Sequence, residues 1–282
     1  MKIGIIGNGF VGRAANELEC DEIVIISYDL NPVLCNPIGT TLNDVLHTDI
    51  IFISVPTPMD KDGSCSLSYI TNVIDDITQY INLDEKLVVI RSTVPPGTSD
   101  KYNCYFMPEF LTEKNFKYDF THNENWIFGI KNKPQDIIFK QMVSDLLNTS
   151  FKHNKIFSTN THFVSNSEAE MIKLFRNNFL ALKVSFCNEM EEFCTSIDIN
   201  YENVRRLSTL DRRVGSDHTY VPGHDGKRGY GGTCFPKDSN SCYFEMKKAG
   251  MVSYIVKSMI ERNETVDRSE KDWQKNKGRA VV

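Results

Sequence analysis

The stretch Lys2-Ile3-Gly4-Ile5-Ile6-Gly7-Asn8-Gly9-Phe10-Val11-Gly12 decides the fold. Its first five residues read as a strand whose Ile3-Gly4-Ile5-Ile6 is the short apolar run that burial on both faces requires. The run passes straight into a Gly-x-Gly-x-x-Gly loop, and residues 13–20 read as a helix. A second strand is expected at 23–28, ending at Asp29, twenty-two residues after Gly7. Gly7 permits a tight turn, Gly9 lets backbone approach a pyrophosphate, and Gly12 lets helix and strand pack closely. The loop backbone at Asn8, Phe10 and Val11 and the positive end of the helix would then face the phosphates. An acid at position 29 accepts hydrogen bonds from ribose hydroxyls and repels a 2′-phosphate. Leu30 and Asn31 supply no arginine, so the expected cofactor is NAD rather than NADP.

Working outward, strands are expected at 49–55 and 87–91, with a helix near 67–81 between them. Strand–helix–strand alternation with continuous apolar strands predicts an α/β fold, a parallel sheet covered on both faces. Further strands are expected at 103–107, 125–130 and 155–158, and a helix at 134–148. Past His162 the texture changes. One long helical pattern runs from Ser165 to Ile197, and Ser165 with Glu168 forms a capping-box signature. The expected division is 1–160 for cofactor binding, 161–260 for a helical domain, and 261–282 as a charged tail poor in apolar residues.

Composition excludes several classes. Lys plus Arg is 32 and Asp plus Glu is 37, a net charge of −5 that argues against a broad nucleic-acid surface. No run approaches the roughly 18 apolar residues needed to cross a bilayer. The N-terminus is too short and too glycine-rich for a signal peptide. Eight cysteines without a Cys-x-x-Cys pair read as reduced thiols, pointing to the cytoplasm. The histidines form no ligand cluster, and no metal site is expected.

Candidate chemistry lies in five further places. Val55-Pro56-Thr57-Pro58 and Ser92-Thr93-Val94-Pro95-Pro96-Gly97-Thr98 follow strands, where open α/β sheets bind ligands. In isolation both read as ordinary turns. Gly229-Tyr230-Gly231-Gly232-Thr233-Cys234-Phe235-Pro236-Lys237-Asp238 is more informative. Its glycines admit a ligand to the backbone, and Cys234 stands at the start of a helical pattern with Lys237 nearby. Such a thiol has a depressed pKa and serves as a covalent nucleophile. The other seven cysteines read as structural. Lys173 and Asn177 share a helix face, and Glu109 and Glu113 also differ by four. Alone, neither pair is distinctive.

Together, in order and spacing, these segments resemble the UDP-glucose/GDP-mannose dehydrogenase family from residue 1 to about 260. The motifs are GxGxxG, Asp29, VPTP, STVPPGT, PEFLTE, EAEMIKLFRNN, DRRVG and GYGGTCFPKD. The resemblance implies a Rossmann-type doubly wound parallel sheet followed by a helical dimerisation domain. It also implies NAD-dependent oxidation of a sugar-nucleotide C6 alcohol to the carboxylate, UDP-glucose to UDP-glucuronate. By that resemblance Cys234 forms a thiohemiacetal and then a thioester. Lys173 and Asn177 stabilise oxyanions at C6, and Asp238 takes part in proton removal. Glu109 activates the hydrolytic water, Thr93 helps position it, and Glu113 remains a rival base. Val55, Pro56, Thr57, Ser92, Thr93, Glu113 and Lys237 fall at cofactor positions. Phe110, Leu111, Tyr230, Gly231 and Gly232 fall at substrate positions. Arg213 matches an arginine that reaches a neighbouring subunit's substrate, which implies a homodimer.

Two departures stand out. Only twenty-five residues separate Asp29 from Val55, where the family carries a longer helical excursion. The chain stops at Val282, where the family continues into a third domain that grips UDP, so that domain is expected to be missing. Lys227 or Arg228, in the polar segment before the cysteine loop, could contact a phosphate and compensate, or could belong to an ordinary turn. The rival readings are a non-catalytic NAD-binding subunit, half of a split enzyme with a separate UDP-binding chain, or a dehydrogenase of GDP-mannose or a UDP-N-acetylhexosamine.

Overall fold

Seven strands form one sheet: β1 Lys2–Ile6, β2 Val24–Tyr28, β3 Ile50–Ile53, β4 Leu87–Ile90, β5 Tyr105–Phe106, β6 Trp126–Ile130 and β7 Thr161–Ser165. Their order is β2-β1-β3-β4-β5-β6-β7. All neighbours run parallel except β5 and β6. The chain steps from β1 to β2 on one side and back to β3 on the other. The reversal opens a crevice at the carboxyl end of β1, where ligands of such sheets bind.

Alternate residues of one strand serve opposite faces. Ile50, Phe52, Leu87 and Val89 join one apolar core, and Ile51, Ile53, Val88 and Ile90 join the other. Helices α1 Phe10–Ala15, α2 Leu42–Leu46, α3 Ser68–Thr78, α4 Thr98–Lys101, α5 Phe116–Thr121 and α6 Asp136–Lys152 accompany the sheet. Ala14, Phe120, Phe139 and Val143 bring α1, α5 and α6 to the first core. Val45, Ile70, Ile74 and Ile77 bring α2 and α3 to the second. The spacing 70, 74, 77 is the apolar stripe of a helix lying on a sheet.

The computed structural model describes residues 1–282. The chain divides into two compact units, Met1–Thr57 with Leu67–Lys173, and Pro58–Ser66 with Leu174–Val282. The division therefore falls at Lys173, inside the long helix α7 Asn166–Ser196, and not near 160. The reason is β7, which extends the sheet past 160, while Ala169 of the first turn enters a core of the first unit. No strand forms at 155–158. Phe157 N–H donates to the Thr121 carbonyl at 2.8 Å, and the Ser158 carbonyl accepts the Trp126 indole at 2.7 Å. Those bonds consume backbone groups that a ladder would need. The first helix also begins earlier than expected, at Phe10, and ends in a 3₁₀ turn at Asn16–Leu18. The capping box of α7 is present: Ser165 N and Oγ donate to Glu168 Oε2 at 2.8 and 2.6 Å.

The second unit adds α8 Tyr201–Ser208, α9 Phe235–Lys248 and α10 Ile255–Arg262. Beyond α10 the composition predicted a charged tail, and the chain instead folds. A π-helical turn at Asn263–Asp267 and a 3₁₀ turn at Asp272–Lys275 carry Trp273 and Ala280 to full burial. The charges pair rather than extend the chain: Arg268 with Asp225 and Asp272, and Lys271 with Glu264. Met59 and Val282 exchange backbone contacts there: Met59 N–H donates to Ala280, and Val282 N–H to Met59.

Candidate active site

In the first unit the glycine loop is built as its sequence demands. A Cβ at Gly12 would strike the Gly7 carbonyl oxygen, so only glycine lets α1 approach the end of β1. A Cβ at Gly9 would meet nothing within 4 Å, and Gly9 as N-cap leaves the first turn of α1 without a side-chain cap. Asp29 Oδ2 accepts the Asn8 N–H at 2.7 Å and its Oδ1 accepts the Asn31 N–H at 2.8 Å. Each oxygen keeps a lone pair for a ribose hydroxyl. Asn8 Oδ1 is a buried acceptor without a partner, the kind of atom a ribose hydroxyl satisfies. The open floor over Gly9, the uncapped helix start and the acid at the end of β2 fit NAD.

The two proline turns are tied to each other. Ser92 Oγ donates to the Val55 carbonyl at 2.6 Å, and Thr57 Oγ1 donates to the Thr93 carbonyl at 2.7 Å. These hydroxyls, expected as ligand contacts, first serve to fix the rim of the crevice. Arg91, which sequence reasoning missed, lies beneath it. Its guanidinium donates to the Val11 carbonyl at 3.1 Å and sits over the Phe52 and Phe120 rings. Burial pulls its pKa down to about 10, and Glu109 opposes that fall.

Glu109 and Lys173 are brought together from sixty-four residues apart, Nζ to Oε1 at 2.7 Å, and both are buried. Glu109 Oε2 also accepts the Leu111 N–H at 2.8 Å, and the Phe110 ring lies 5.9 Å from the Lys173 ammonium. Burial alone would raise the Glu109 carboxyl, but Lys173, the Leu111 N–H and Arg91 outweigh it and hold it below the ordinary range. Glu113 is exposed four residues on, so the two carboxylates are separated by environment.

In the second unit Cys234 is the N-cap of α9, and its carbonyl accepts the Asp238 N–H at 2.9 Å. Thr233 Oγ1 lies 3.8 Å from its sulfur. Asp238 is buried, with Oδ1 accepting Lys237 Nζ at 2.5 Å and Oδ2 accepting Asn177 Nδ2 at 2.6 Å. Burial works against the Lys237 charge, yet Asp238 and the Cys65 and Cys234 sulfurs raise its pKa above the ordinary lysine value. A fixed ammonium and the start of a fourteen-residue helix both bring positive charge to the surroundings of Cys234. Asn178 adds a long bond from Nδ2 to the Asp238 carbonyl at 3.5 Å.

The glycine run before the cysteine is braced from the folded C-terminal segment. Asn263 Oδ1 accepts the Tyr230 N–H at 2.8 Å, and its Nδ2 donates to the Tyr230 carbonyl at 2.9 Å. Arg268 lies so close to Gly231 that a Cβ there would fall 2.7 Å from its guanidinium. Gly232 faces open space. Asn263 and Arg268 carried no local signal, because their role comes from packing against a loop more than thirty residues earlier. Lys227 and Arg228 are not held ready for a phosphate. Lys227 pairs with Glu270 and Asp272 at 3.0 and 2.8 Å, and Arg228 pairs with Glu191. Arg213 is exposed and pairs with Asp211 at 2.6 Å.

Comparison with known proteins gives two matches to one family. Residues 38–150 match the NAD binding domain of the UDP-glucose/GDP-mannose dehydrogenase family, and residues 167–265 match its central domain. The UDP-glucose 6-dehydrogenase of Rickettsia prowazekii is 31% identical over 232 residues, covering 78% of this chain and 50% of that protein. The Pseudomonas aeruginosa UDP-glucose 6-dehydrogenase is 29% identical over 309 residues, covering 93% and 65%. A solved UDP-glucose dehydrogenase from the archaeon Pyrobaculum islandicum superimposes with a TM-score of 0.77 at 25% identity, covering 94% of this chain and 68% of that one. The chain spans about half the length of the first curated relatives it matches. No helix is long and apolar enough to cross a membrane.

Proposed function

The chain belongs to the UDP-glucose/GDP-mannose dehydrogenase family, and on that footing we propose that it oxidises the C6 alcohol of a nucleotide sugar to a carboxylate, with UDP-glucose as the first candidate. The observation that carries the reading is Cys234 at the head of α9, beside the Lys237–Asp238–Asn177 cluster. The glycine loop and Asp29 would hold NAD, which would supply the acceptor for each of two hydrides.

The chain's own groups supply the rest. The Cys234 thiolate adds to the C6 aldehyde, which makes that carbon a second hydride donor and leaves a thioester. Lys237, charged at neutral pH, favours the thiolate before the addition. Glu109 is held ionised by Lys173 and takes a proton from the water that hydrolyses the thioester. Lys173 balances negative charge as it develops on oxygen. Asp238 orients Asn177 and Lys237 toward the reacting carbon, and Thr93 lies on the rim that positions water.

The partner proposed is a second copy of this chain. Phe175, Phe179, Phe186 and Phe193 are all more than half exposed and recur at helical spacing along α7. An exposed aromatic stripe of that length supports this reading, because large apolar patches are usually covered. The eight free cysteines and the proposed cofactor and substrate support a cytoplasmic location.

The test is to follow NADH absorbance with pure protein, NAD and a panel of UDP-glucose, GDP-mannose and UDP-N-acetylglucosamine. Two NADH per UDP-glucose are expected, and Cys234→Ser should lower the full oxidation by roughly 10³-fold or more. Two NADH from another sugar would move the substrate. NAD binding without turnover on any sugar would favour a cofactor-binding subunit that works with a separate UDP-binding chain.

A further inference from the structure

One buried ionisable group has no part in the chemistry above. Glu170 lies on α7 three residues before Lys173 and has no exposed surface. Its Oε2 accepts the Gly97 N–H at 2.5 Å, and its Oε1 accepts the Ser99 N–H at 2.7 Å. Gly97 closes the Ser92–Gly97 turn and is the N-cap of α4. The turn therefore hangs by two backbone bonds from one carboxylate of α7. Its other end is tied by Ser92 to Val55 and by Thr57 to the Thr93 carbonyl. Asn166, one turn before Glu170, holds the same region by donating to Asp100 Oδ1 at 2.7 Å and to the Cys104 carbonyl at 2.9 Å.

We propose that Glu170 is a positioning residue for the cofactor turn: its buried carboxylate fixes Ser92–Gly97 in one frame with Lys173. This rests on the reading of that turn as part of the NAD site.

The charge state of Glu170 sets how firmly it holds. Two short N–H bonds need an ionised carboxylate, because a protonated one commits an oxygen to its own proton. Burial lifts the carboxyl to about 7, against the bonds from Ser99 and Gly97 that favour the charge, and Asp100 of α4 pushes it further up. The turn itself contains no charged residue. Lys173, the cation on the same helix, is committed to Glu109. The grip is therefore half engaged near pH 7, close to full by pH 8 and released well below 7.

Two measurements on wild type and Glu170→Gln decide the proposal. Hydrogen exchange at the Gly97 and Ser99 amides reads the grip without any ligand. At pH 8 the variant should lose at least 10-fold of the wild-type protection at both amides. NAD titration reads the consequence: the variant's Kd should be about 10-fold weaker at pH 8. The wild-type Kd should rise below pH 7 until the two proteins agree near pH 5.5. The native chain alone carries this profile if the variant folds poorly. Unchanged amide protection in the variant would overturn the proposal. So would a Kd ratio that is the same at pH 5.5 and pH 8, since that is the behaviour of a merely structural residue. If wild type fails to bind NAD while the variant's amides lose protection, the grip stands, and both the cofactor reading and the positioning role fall.

Discussion

At the residue scale, the decisive partnership is Lys173 with Glu109, buried together at 2.7 Å. Lys173 and Glu109 were each visible as a candidate, but the sequence offered no means of pairing them across sixty-four residues. It also left Glu109 and Glu113 unseparated. Burial separates them: one carboxylate is enclosed by Lys173, Arg91 and the Leu111 N–H, while the other is exposed. The native pair lowers the Glu109 pKa, so its contribution to stability is present above the ordinary carboxylate range and is lost as the pH falls through the lowered value. Lys173→Ala reverses the sign. It strands a buried charge at a cost of about 3–5 kcal/mol. The carboxyl then climbs above its ordinary value, and stability falls as pH rises. Chemical denaturation of the variant from pH 4.5 to 8 checks this. A variant whose stability still rises with pH would show that Lys173 is not what holds Glu109.

At the scale of elements, the β1–loop–α1 unit was legible because its signal is local. An apolar run, three glycines and an acid at the right distance state the fold and the cofactor together. The Cys234 loop was legible for the same reason, since a cysteine directly before a helix with Pro236 and Lys237 in its first turn is a short-range pattern. Strand β7 was not, because Thr161-His162-Phe163-Val164-Ser165 is half polar and lies at the sheet's edge. Lys155-Ile156-Phe157-Ser158 looked more strand-like and instead packs as a loop. The close approach at Gly12 gives a sharp expectation. Gly12→Ala forces a methyl group onto the Gly7 carbonyl and should cost about 1–3 kcal/mol by overpacking. Calorimetry with NAD should show its affinity reduced by 10-fold or more, while the fold measured by far-ultraviolet dichroism is retained. Wild-type affinity in this variant would remove the loop from the cofactor site.

At the scale of the whole molecule, the segment 261–282 shows where composition misleads. Its dense charge predicted a frayed tail, yet Arg268, Lys271, Glu264 and Asp272 neutralise one another and bases further up the chain, and Trp273 is buried. Charge counting along a sequence cannot see pairs formed across forty residues. That folded segment holds Asn263 and Arg268 against the glycine loop that precedes Cys234, so the chain's last twenty-two residues brace that loop. In the proposed reaction Cys234 carries the sugar as a thioester that Glu109 helps to hydrolyse. Incubating Glu109→Gln with NAD and UDP-glucose, quenching in acid and weighing the Cys234 peptide by mass spectrometry tests this directly. A UDP-glucuronyl adduct on that sulfur is the expected result. UDP-glucuronate released with the Cys234 peptide never modified would contradict it.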